Sequence, residues 1–125
     1  MFSLFKQRQK PSESKNLLFM FSMHLGRGSN ADMPANFAGA YVPVYIGGAN
    51  YEAALTEAVA QIRRRGYIFI DLADGKAHQL DPLKWSSYVT EAWPEFESYF
   101  PTQKDVVKGL DSGQVFFGPF ASYEQ

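Results

Sequence analysis

The sequence predicts an α+β fold with a mostly antiparallel sheet and helices packed on one of its faces. Three observations carry that reading. Short runs of apolar, β-branched and aromatic residues alternate with turn residues along the chain. One segment, residues 50–66, has helical apolar spacing between a cap at each end. An Asp-Gly pair at Asp74-Gly75 separates two short runs, as in a hairpin.

Residues 17–24 (LLFMFSMH) form the first expected strand, since the run is short, apolar and bounded by polar and Gly-rich sequence. A long Gly-, Asn- and Pro-containing loop follows, from Leu25 to about Ala40. Residues 41–46 (YVPVYI) form the next strand, with Pro43 better suited to an edge or bulge than to full pairing. Asn50 caps a helix in which Tyr51, Ala54, Leu55, Ala58, Val59 and Ile62 recur at helical spacing on one face. Arg63, Arg64 and Arg65 complement its C-terminal end, and Gly66 stops it. In the strand 67–72, Ile68, Ile70 and Leu72 should share one face and Tyr67, Phe69 and Asp71 the other. A return strand spans 76–80. Asp81-Pro82 opens a second helix marked by Trp85, Tyr88, Val89 and Ala92 and ended or kinked at Pro94. Thr102 opens a short helix to Leu110, and residues 114–120 (QVFFGPF) form the last strand, with Gly118-Pro119 at its end or in a bulge.

From Tyr41 onward the order is β-α-β-β-α-β, the ferredoxin-like order, with residues 17–24 as an additional N-terminal strand. Two segments follow from this: a flexible polar tail over residues 1–15, and one α+β domain over 16–125. At 125 residues the chain can bury a sizeable core without covalent staples.

Composition narrows the function. The chain has no cysteine, which excludes disulfides, thiolate metal sites and a cysteine nucleophile and suits the cytoplasm. The basic start followed by the apolar run 17–23 lacks the features of a signal peptide, and no apolar stretch is long enough to span a membrane as a helix. Net charge is −1 but uneven: residues 1–66 carry eight Lys/Arg against four Asp/Glu, and residues 67–125 carry four against nine. The acidic second half speaks against nucleic acid and for a basic partner. The strand 76–80 also lacks the RNP1 pattern that a β-α-β-β-α-β RNA binder would carry.

No catalytic motif is present. Gly26-Arg27-Gly28-Ser29 lacks phosphate-loop spacing, and neither GxSxG, SxxK nor HExxH occurs. His24 and His78 have no evident set of metal ligands around them, so no metal or cofactor is expected. His78 lies close in sequence to Asp71 and Asp74, which leaves open a pocket near the 25–40 loop and the 71–81 hairpin. Tyr41, Tyr45, Tyr67 and Phe69 should lie on the sheet face away from the helices, an apolar patch calling for a cover. The 17–23 segment, a second copy in a homodimer, or a protein partner would each serve.

The segments 66–71 (GYIFID) and 78–82 (HQLDP), then Trp85, Trp93 and Phe117-Gly118-Pro119-Phe120, resemble small bacterial immunity-type proteins, across residues 41–120. That resemblance implies a non-catalytic, stoichiometric inhibitor of a partner toxin, and transfers no specific contact residue. The expected function is therefore a protein-binding module. Asp71, Asp74, Asp81, Trp85, Trp93, Tyr45, Tyr67 and Phe69 are the candidate partner contacts. The alternative is a small-molecule-binding domain or small enzyme using the pocket beside His78.

Overall fold

A computed structural model describes residues 16–124. The proposed tail 1–15 and the final residue lie outside these. Two long strands, β1 (Leu17–Gly26) and β2 (Phe37–Gly48), pair antiparallel along their whole length, from Leu17 opposite Gly48 to Gly26 opposite Gly39. The sequence placed a loop over 25–40, but the strands extend into it from both sides and leave 27–36 as the connector.

Each outer edge of this hairpin is occupied by two short strands in line. Along β1 run β3 (Ile68–Leu72), opposite Met23–Gly26, and β4 (His78–Leu80), opposite Leu18–Met20. Along β2 run β5 (Val115–Phe117), opposite Val44–Ile46, and β6 (Ala121–Glu124), opposite the first part of β2. Every pairing is antiparallel. The α+β class and antiparallel sheet are as the sequence predicts, but the strand order is not ferredoxin-like. The strand 17–26 is central instead of an addition, and the 71–81 segment is not a hairpin. The Asp74-Gly75 turn does form, with Gly75 at φ 67°. It lets the chain leave the edge of β1 and rejoin it further along. This serves packing, because β3 turns Phe69 and Leu72 to one face of the sheet and β4 turns Leu80 to the other.

The helices also occupy both faces, not one. Helix α1 (Tyr51–Arg64) begins where Asn50 Oδ1 accepts from the Ala53 N–H. Its buried Ala54, Ala58 and Ile62 pack on Phe19, Phe21, Met23 and Leu25 of β1 and on Val42, Val44 and Ile46 of β2. The opposite face holds Leu18 and Tyr45, covered by α2 (Trp85–Ala92) and α3 (Gln103–Gly109). Trp85, Val89, Phe100 and Leu110 fill that second core. The two 3-10 turns Pro82–Lys84 and Pro94–Tyr99 link these pieces. A strand apolar on both faces needs a cover on both, and residues 17–23 are apolar at both parities.

Two glycines lock the connector to the end of α1. Gly28 (φ 58°) and Gly66 (φ 88°) both hold the left-handed conformation. A side chain on Gly28 would collide with the Gly66 carbonyl, which accepts from Ser29 N–H at 2.9 Å.

Candidate protein-docking face

Helices α2 and α3 cover only one half of their face of the sheet. The uncovered half is built on β1 from Ser22 to Gly26 and on its neighbours. Strand alternation sends His24 to this side, together with Tyr41 and Pro43 of β2. In β6, Tyr123 lies opposite Gly39 and reaches the same side. The β3 register skips Ile70 between the pairs Asp71–His24 and Phe69–Leu25. This bulge leaves Ile68, Ile70 and Asp71 together on the open face, while Phe69 and Leu72 pack toward α1. The alternation expected from sequence, with Leu72 joining Ile68 and Ile70, fails at that bulge.

The surface is largely apolar and aromatic. Tyr41 is 44% exposed, Ile70 46% and Ile68 55%. At its centre the His24 ring stacks on Tyr41 with centroids 4.5 Å apart. His24 Nε2 shares a 2.6 Å hydrogen bond with the Tyr123 hydroxyl. Its Nδ1 lies 3.6 Å from an Asp71 carboxylate oxygen, a charge contact longer than a good hydrogen bond. Asp71 is well exposed. The group is therefore an aromatic platform with the Asp71 carboxylate at its margin. Among the described residues no group of three His, Cys, Asp or Glu side chains is arranged to hold a metal ion.

The sequence-selected residues are dispersed relative to this face. Asp71 sits on it, and Asp74 stands in the adjoining 73–77 turn. Asp81 caps the Pro82–Lys84 turn by accepting from Leu83 N–H. Trp85 is a core residue whose indole N–H donates to the Pro101 carbonyl at 2.8 Å. Trp93 is half-buried and donates to the Tyr45 hydroxyl at 2.9 Å, which in turn shares a 2.7 Å bond with Tyr88. Burial, with the neighbouring Tyr88 hydroxyl, pushes Tyr45 far above the ordinary phenol value. Tyr67 and Phe69 pack against the α1-side core. Of the four aromatics expected on one open face, Tyr41 alone is exposed there. Tyr45 is covered by the chain's own helices, and Tyr67 and Phe69 point the other way. His24, Tyr123, Ile68 and Ile70 were not selected from sequence as contacts.

Clefts do border the 25–40 segment, but they open toward α1. One, of about 350 Å³, is lined by Asn30, Asp32, Arg65, Tyr67, Phe117 and Phe120, together with Tyr99. A smaller one of about 220 Å³ adjoins it at Asp32, Met33 and Pro34. Neither includes His78 or Asp71. His78 Nε2 instead meets Asp74 at 2.5 Å in an exposed pair. That bond, more than any other contact, lowers the Asp74 carboxyl below its ordinary value. A depressed carboxyl favours the fold above the ordinary carboxylate range and loses that contribution as pH falls through its folded value. A carbon-detected titration should therefore place Asp74 below the ordinary carboxylate range. His78→Gln should raise its midpoint toward that range, and an unmoved midpoint would remove His78 as the cause.

No protein-family model, curated protein or solved structure matches the chain. Among the described residues, no helix is long and apolar enough to cross a membrane. The geometry defines a class no finer than an α+β protein with helices on both faces of an antiparallel sheet and one half-face left open.

Proposed function

We propose that this chain is a non-catalytic protein-binding module that docks a basic protein partner on the open half-face. The observation that carries the reading is the exposure of Tyr41 on one side of His24 and of Ile68, Ile70 and Asp71 on the other, on one face of the sheet. Aromatic and aliphatic anchors of this kind supply affinity at interfaces, while charges at the margin steer the approach. Asp71 is exposed on the face beside His24, and the second half of the sequence is acidic, so a partner offering Lys or Arg beside an apolar patch is complementary. A bacterial immunity protein that neutralises a toxin by stoichiometric binding fits this chemistry best. Asp74, in the turn that follows β3, adds a second negative charge near this end of the sheet.

The test is capture from native lysate with the wild-type protein beside Tyr41→Ala and Ile70→Asp variants, each sized by light scattering. A stoichiometric basic protein should bind the wild type about tenfold more tightly than either variant, the loss expected of one interface anchor. Asp71→Lys should slow association at low salt and lose that effect at high salt. Thermal melts should leave the variants folded, since these side chains are largely exposed. A homodimer that dissociates on the same substitutions would instead make a second copy the occupant. Binding that requires removal of residues 1–15 would make that segment the occupant. A partner retained equally by all variants would place the interface elsewhere.

A further inference from the structure

On the α1 side of the sheet, the end of α1, the 27–36 connector and the β5–β6 edge meet around Arg65. Within α1, Glu57 is already engaged: its Oε2 accepts from Gln61 at 2.9 Å and from Arg64 at 3.0 Å. Arg65 has no such partner. Among the described residues no carboxylate lies within ion-pair distance of it, and its side-chain hydrogen bond is a long one, 3.4 Å, to Gln61 Oε1. Its guanidinium is nonetheless held in place, 4.5 Å from the centroid of the Phe117 ring. Its backbone is also fixed, because the Asn30 amide donates to the Arg65 carbonyl at 2.6 Å. A cation positioned by stacking and left without a counter-ion is prepared for a planar anion.

The cleft beside it has matching walls. Tyr67 and Phe120 lie with ring centroids 5.7 Å apart, and Phe117 stands edge-on to Phe120 at 6.3 Å. Asp32 stands on the connector side. Both Asp32 and Arg65 act electrostatically on the Tyr67 hydroxyl, with opposite signs, so both charges border the same aromatic pocket. A dianion such as phosphate would be opposed by Asp32. A single carboxylate with an N–H or ammonium one carbon away would satisfy both groups.

We propose that this cleft binds an α-carboxylate bearing an aromatic or large aliphatic group. Arg65 takes the carboxylate, Asp32 accepts from the adjacent nitrogen, and the side chain lies against Tyr67, Phe117 and Phe120. A free hydrophobic amino acid and the C-terminal residue of a peptide share this chemistry. The volume of about 350 Å³ is within the range of small-ligand sites.

The proposal is tested by NMR titration of the full chain with N-acetyl-L-phenylalanine, L-phenylalanine, N-acetyl-L-phenylalaninamide and inorganic phosphate. An acid should shift resonances of Tyr67, Phe120 and Arg65 by about 10 mM, where a millimolar site is nearly filled. The amide should bind about tenfold more weakly, and Arg65→Gln should lose about tenfold in affinity for the acid. Arg65→Lys should recover part of that loss. Tighter binding of L-phenylalanine would identify the free amino acid as the ligand type, and tighter binding of the acetylated acid a peptide C-terminus. Equal binding of acid and amide would overturn the proposal. So would an unchanged affinity in Arg65→Gln, preference for phosphate, or no shift with either acid.

Discussion

Trp85→Ala should lower the free energy of unfolding by about 4 kcal/mol, the usual range for removing a buried large aromatic. Trp85 is 1% exposed and sits at the centre of the α2-side core. Its ring meets Tyr45 edge-on at 5.2 Å and lies 5.6 Å from Tyr88 and 6.0 Å from Phe100. The substitution vacates that space and also strips the Pro101 carbonyl of its indole donor. Small domains are stable by only about 5–15 kcal/mol, so the loss is a large share of the total. Urea unfolding monitored by circular dichroism reads it directly. Trp85→Phe should cost about half as much, since it keeps most ring contacts and loses the N–H bond. A loss below about 1 kcal/mol for Trp85→Ala would mean that the α2 layer does not close this core. The same experiment separates a core role from a docking role, because a binding anchor would change affinity and leave stability nearly intact.

Asn30→Ala should cost about 3 kcal/mol, roughly 1 for each of three hydrogen bonds made by one buried side chain. Asn30 is the one polar residue buried among those described. Its amide donates to the Arg65 carbonyl, and its Oδ1 accepts from the Asp32 and Met33 N–H groups at 2.8 and 3.1 Å. Asn30→Asp keeps the acceptor but brings a carboxylate against the Arg65 carbonyl, and should cost a similar amount. Urea unfolding checks both substitutions. Amide exchange at Asp32 and Met33 should speed up in Asn30→Ala beyond the change seen in the sheet. Uniform acceleration would show that Asn30 does not act through the connector.

The parts of the fold legible in the sequence are those set by neighbours along the chain. Asn50, the apolar stripe to Ile62 and the stop at Gly66 define α1 almost residue by residue. Asp81 and Thr102 cap as their positions imply. What the local pattern leaves undecided is which strands meet. An Asp-Gly turn between two short apolar runs describes a hairpin and a detour along one edge equally well. Only the ten-residue length of β1, with room for two partners in line, separates them. The near-continuous apolar run 17–23 did carry a signal that both faces are covered, and a one-face reading passes over it. The open face was less legible still. His24 and Tyr123 are 99 residues apart and meet through pairing of both neighbouring strands to β2. That Asp71 and not Leu72 joins Ile68 and Ile70 depends on a one-residue bulge, which alternation cannot foresee. Trp85 is a candidate contact by residue type, but its place on the apolar helical stripe with Tyr88 and Val89 already favours the core, where it lies; Trp93 follows at the end of that helix and is half-buried.

The in-line arrangement of the short strands has a consequence for how the chain acquires its structure. Every ladder in the sheet has β1 or β2 as one of its members: β3 and β4 rest on β1, β5 and β6 on β2. Each edge ladder rests on one member of the central pair, and the central pair closes across a connector of only ten residues, 27–36. The loop entropy of that closure is modest, whereas β5 and β6 reach β2 from the far end of the sequence. The chain thus places its cheapest closure between the two strands that all other pairing uses, and each edge can fray without unzipping the other.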